Sequence, residues 1–127
     1  MKTFLSFLFS YLLCISLHTA AQNLVKNSDF ELVQRMPCES NHGVGCAKYW
    51  RSPTYGTPEY YHKDAEAKCS TPKNIFGIQT AHSGNAYAAI YISGYETEYI
   101  ATILADTLIK GEEYLVEFYI SRAEKSK

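Results

Sequence analysis

The chain has 127 residues, of which 46% are apolar and 20% charged, an ordinary globular balance that excludes a disordered or collagen-like chain. A signal read over residues 1–21 leaves 106 for the mature protein, which allows one small core and excludes a large two-domain enzyme. The formal net charge of −1, or −2 once Lys2 is removed, offers no basic footprint for nucleic acid. Tyrosine stands out, with 11 in the chain.

Lys2 supplies a positive start, residues 4–17 an apolar stretch, and Thr19-Ala20-Ala21 the small residues of a cleavage site. The apolar run is shorter than the ~20 residues of a spanning helix, and none of that length follows it. The expectation is therefore an exported protein starting at Gln22, placed at the cell surface, at the outer membrane or in the medium. Lipidation at Cys14 is disfavoured, because bulky Leu13 precedes it and the apolar run continues past it.

The remaining residues, 22–127, read as one module. Cys38, Cys46 and Cys69 are left after export, an odd number in an oxidising compartment. A disulfide between two of them is expected, in preference to a metal site built on Cys38, His42 and Cys46 with His62 or Cys69, whose spacing departs from structural zinc knuckles.

Beyond the signal, apolar residues alternate at period two and never sustain a helical period, so the fold class is all-β. A short strand is expected around Phe30 and Leu32. Between residues 35 and 80, prolines, glycines and missing periodicity predict a long loop region, ordered by Tyr49, Trp50, Tyr55, Tyr60, Tyr61 and Phe76. Residues 86–92 and 98–104 read as two strands of a hairpin around Ser93-Gly94-Tyr95-Glu96. After a turn at Lys110-Gly111-Glu112, residues 113–121 give the clearest half-buried strand, with Tyr114, Val116, Phe118 and Ile120 on one side. About five strands are too few for a closed sandwich, so the expectation is the front part of a longer protein, incomplete at its C-terminus.

With the strands placed, Asn23-Leu24-Val25-Lys26-Asn27-Ser28-Asp29-Phe30-Glu31 resembles the opening strand of galactose-binding-like jelly rolls, a group that includes many carbohydrate-binding modules. His82-Ser83-Gly84-Asn85-Ala86-Tyr87 resembles the turn into a middle strand of that fold, and residues 108–119 its later glycine turn and strand. The run Trp50-Arg51-Ser52-Pro53-Thr54-Tyr55-Gly56-Thr57-Pro58-Glu59-Tyr60-Tyr61, followed by Cys69 and residues 74–79, resembles the N-terminal module of bacterial cell-envelope proteins. Some of those carry a C-terminal OmpA-type domain. The likeness covers residues 23–121 and implies an antiparallel β-sandwich. Pro37-Cys38 departs from the cysteine-proline pair of the relatives, and Cys46 is an addition.

In the resembled fold an acidic residue at Glu31 helps bind a structural calcium ion. One carboxylate alone does not make the six to eight oxygens calcium needs, and a solvated strand carboxylate is the plain alternative. Trp50, Tyr55, Tyr60 and Tyr61 are the ligand candidates, since rings on a rigid loop suit sugar faces, although the same rings serve equally as a satellite core. Glu96 and Glu98 read as edge protection by charge. No carboxylate pair or nucleophile elbow is set up for catalysis, and Ser83 next to His82 lacks the surrounding motif. The expected function is thus a non-catalytic extracytoplasmic module that recognises glycan or another envelope component. The alternatives are a structural or adhesive spacer and the accessory module of a larger secreted hydrolase.

Overall fold

A computed structural model describes residues 22–38, 43–66 and 68–125. The signal read over residues 1–21 lies outside them, and no helix among the described residues is long and apolar enough to cross a membrane. Among the described residues six short strands form: β1 (Trp50–Arg51), β2 (Glu59–His62), β3 (Lys73–Asn74), β4 (Gly77–Ile78), β5 (Ala86–Ala89) and β6 (Ala101–Thr102). One 3-10 turn, Val44–Cys46, precedes them, and there is no α-helix among the described residues.

Every pairing is antiparallel: β1 with β6, β2 with β5, and β3 with β4. The β2–β5 ladder is the longest, with Tyr60 opposite Ala88, Tyr61 opposite Tyr87 and His62 opposite Ala86. Directly opposed residues share a face, and neighbours along a strand point to opposite faces. One face therefore presents Tyr60, His62, Ala86 and Ala88, and the small alanines of β5 leave room for cover. That cover is the core: Cys46, Ala47, Tyr60 and Ala86 cluster there, with Phe30, Val33 and Trp50 packed against them. The other face carries Tyr61 and Tyr87, whose rings meet at 5.3 Å.

The 3-10 turn is stitched to segments on either side of it. Val44 N–H donates to the Pro58 carbonyl at 2.7 Å, and the Cys46 carbonyl accepts from Gln34 and Arg35. Bridges Val33–Ala47 and Gly43–Glu59 extend the same seam.

The expected antiparallel strands form, as three two-stranded ladders among the described residues. Several finer expectations are corrected. The predicted loop region 35–80 contains β1 to β4, because strands of two to four residues are too short to display a period. Around Phe30 the chain turns instead of extending, with Phe30 at φ 64 and its N–H donating to the Asn27 carbonyl. The hairpin around residues 93–96 does close, through an Ile92–Thr97 bridge and a Glu98 N–H to Tyr91 carbonyl bond. Its arms then part: β5 pairs with β2, and β6 with β1. Residues 113–121 join no ladder and are exposed on both alternating sides.

No disulfide joins Cys38, Cys46 and Cys69 in the structure. Cys46 belongs to the core cluster with Tyr60, and Cys69 accepts the His62 N–H at its carbonyl; both cysteines are buried, at 0% and 1% exposure.

Candidate binding surface

The aromatic cluster read from the loop is divided by the structure. Tyr60 and Tyr61 are fully buried, one on each face of β2. Trp50 is half-buried, stacks on Phe30 at 4.7 Å, and donates its indole N–H to the Asn27 carbonyl at 2.8 Å. Of the four, only Tyr55 presents its whole ring to solvent.

Two sequence motifs of the resemblance meet as polar clasps. Asn27 sits at φ 53; its side-chain oxygen accepts from Leu32 N–H, and its amide donates to the Leu32 and Lys48 carbonyls. One side chain thus fastens the first turn to the segment leading into β1. Glu31 crosses to the other motif, its carboxylate accepting the Asn85 backbone N–H at 2.6 Å and the Asn85 amide at 2.9 Å. Gly84, at φ 64, permits that approach, because a side chain there would strike the Glu31 carboxylate.

Burial pushes the Glu31 carboxyl up, but the Asn85 hydrogen bonds, the neighbouring His62 and the Ala86 N–H outweigh it, and the group ends below its ordinary value. As for the calcium expectation, the carboxylate is engaged by N–H donors, and no group of three or more His, Cys, Asp or Glu converges among the described residues.

A third clasp builds the surface itself. Glu98 is 4% exposed; one oxygen accepts the Thr57 N–H at 2.7 Å and the Thr57 hydroxyl, the other the Tyr91 N–H at 2.8 Å. This buried carboxylate ties the turn at residues 52–57 to the turn at residues 91–98. Each turn is also ordered from within. Ser52 Oγ donates to the Thr54 carbonyl, while Ser93 Oγ accepts from the Tyr95 and Glu96 N–H groups. At their tips Tyr55 and Tyr95 are fully exposed. The reading of Glu98 as solvent-facing edge protection is corrected accordingly, since three donors surround it.

Tyr95 escapes sequence reasoning because Ser-Gly-Tyr-Glu reads simply as turn chemistry. The available signal was a large aromatic placed inside a turn, where a polar residue would do. No family model, curated protein or solved structure matches the chain.

Proposed function

We propose that the chain is a non-catalytic module of the cell envelope, exported under the signal read at its start, which binds glycan or another envelope component through Tyr55 and Tyr95. The observation that carries this reading is the pair of fully exposed tyrosines on two turns fastened to one buried carboxylate. A tyrosine ring offers an apolar face for a sugar and a hydroxyl for its rim, and a pre-ordered turn loses little entropy on binding. Water-exposed rings on flexible loops would lack that second advantage.

In this reading the ladders belong to a galactose-binding-like jelly roll of the kind found at the N-terminus of envelope proteins. The meeting of the 27–31 motif with Gly84 and Asn85 supports it, as those are the segments that carry the resemblance.

A glycan array and pull-down on insoluble envelope polysaccharide, using the processed chain, test the function. Binding is expected, and Tyr55→Ala and Tyr95→Ala should each weaken it by roughly tenfold or more, the ~1.4 kcal/mol of one aromatic contact, with the melting temperature unchanged. A chain that binds no glycan or envelope polymer would be a spacer instead.

A further inference from the structure

A third exposed tyrosine, Tyr49, sits in an environment of a different kind. Tyr49 adopts φ 74, a left-handed backbone that bulky side chains rarely take. Its neighbours hold it there: Lys48 donates its N–H to the Leu32 carbonyl and accepts from the Asn27 amide, and Trp50 N–H donates to the Ala47 carbonyl. With both flanking residues pinned, the Tyr49 ring stands out of the surface at 47% exposure.

Two ammonium groups gather at this ring. Lys48 Nζ lies 5.1 Å from its centroid and Lys26 Nζ 5.7 Å, which keeps the two cations within about 11 Å of each other. Neither Lys26 nor Lys48 is paired with a carboxylate among the described residues. On a chain whose overall charge is −1, this is a local cationic spot organised around an aromatic. The like charges repel, and one anionic group placed between them would satisfy both.

We propose that Lys26, Tyr49 and Lys48 form a subsite for an acidic sugar, the ammoniums taking its carboxylate, sulfate or phosphate and the tyrosine ring its pyranose face. The assignment rests on the glycan-binding reading above and adds the ligand's charge. Two cations suit a single acid on a sugar unit. Anionic membranes are held by clusters of roughly four to eight basic residues, and nucleic acid by a basic stripe, whereas the cations gathered at this ring are two.

The test compares oligogalacturonate with its methyl ester, and dextran sulfate with dextran, by calorimetry on the processed chain. The acidic member of at least one pair should bind roughly tenfold or more tightly, with an affinity that falls as salt rises. Lys26→Ala with Lys48→Ala should erase the preference while leaving binding of the neutral partner intact. The conservative Lys26→Arg with Lys48→Arg should keep it, and Tyr49→Ala should weaken it. Equal affinity for acid and neutral forms, or a preference that survives loss of both lysines, overturns the subsite but leaves the glycan-binding reading standing. Binding of neither member of either pair overturns the subsite, while the glycan array and envelope pull-down decide the glycan-binding reading. Anionic vesicles or single-stranded DNA bound as strongly as the acidic sugar, and lost with the same lysines, would show a generic cationic patch and sink the sugar assignment.

Discussion

Tyr60 and Tyr61 are identical side chains one position apart on β2, both fully buried, yet their hydroxyls meet different surroundings. The Tyr60 hydroxyl donates to the Phe30 carbonyl at 2.8 Å, securing the first turn to the core, whereas that of Tyr61 is sealed without a hydrogen-bond partner among the described residues. Removing a satisfied buried hydroxyl forfeits about 0.5–1.5 kcal/mol and orphans its acceptor, while removing an unsatisfied one relieves a desolvation penalty. Tyr60→Phe is therefore expected to lower the urea midpoint, and Tyr61→Phe to leave it unchanged or raise it. Equal losses in both variants would refute the assignment. Burial drives both phenols well above the usual tyrosine range, aided by Glu31 for Tyr60 and Glu59 for Tyr61. None of this asymmetry was legible in Glu-Tyr-Tyr-His, because four residues do not reveal which side of a strand faces the core. From the sequence, Tyr55 was legible as one of four candidate rings on a Pro/Gly-rich loop, with nothing to separate it from the rings that pack. Tyr49 and Tyr95 were not, since their exposure depends on backbone turns fixed by distant partners.

At the scale of elements, alternation reported propensity and left pairing open. Residues 113–121 have the cleanest period-two pattern in the chain, but they join no ladder, and Leu115, Val116 and Ile120 are 90%, 80% and 86% exposed. A strand needs a neighbour's backbone as well as a pattern, and nothing in a pattern names the neighbour. The turn at residues 93–96 was legible because its chemistry is local, while the exchange of partners beyond it was not. Tyr119 does find a contact, stacking on His82 at 3.6 Å, and Glu124 accepts from Ile78 N–H, so the segment is fastened only near its end. An apolar, exposed segment of strand-forming sequence outside every described ladder is a template for other strands. Antiparallel self-pairing centred on Glu117 would set Val116 against Phe118, Tyr114 against Ile120, Glu112 against Arg122 and Lys110 against Glu124. The chain is thus expected to associate with rising concentration in light scattering, and Val116→Lys to suppress it without moving the urea midpoint. Association that persists unchanged in that variant would place the sticky surface elsewhere.

For the whole molecule, the β class was readable, but the mode of assembly was not. Among the described residues, the β1–β6 and β2–β5 ladders contribute to a modest core, and polar side chains fasten the segments that the ladders leave unjoined: Asn27 the first turn to β1, Glu31 the first turn to β5, Glu98 the two tyrosine turns to each other. The motifs containing Asn27, Glu31 and Gly84 were visible in the sequence. Their meeting was not, because Glu31 and Asn85 are separated by 54 residues and carry no local signal of contact. A fold held this way should be sensitive to the charge state of its clasps. Glu31 sits below its ordinary value of 4.5 in the folded chain, so the folded state favours the carboxylate more than the unfolded state does. Its contribution is present above about pH 4.5 and is lost as the pH falls through the lower folded value, when the unfolded chain takes up the proton first. Thermal unfolding followed by circular dichroism from pH 6 to pH 3 should show the melting temperature dropping most steeply below about 4.5. Glu31→Gln should melt earlier at pH 6, since the amide cannot accept both Asn85 donors as a carboxylate does, and its acid slope should be shallower. If the variant keeps the parent's slope, the acid sensitivity arises from other carboxylates, and the joint between the first turn and β5 does not depend on the Glu31 charge.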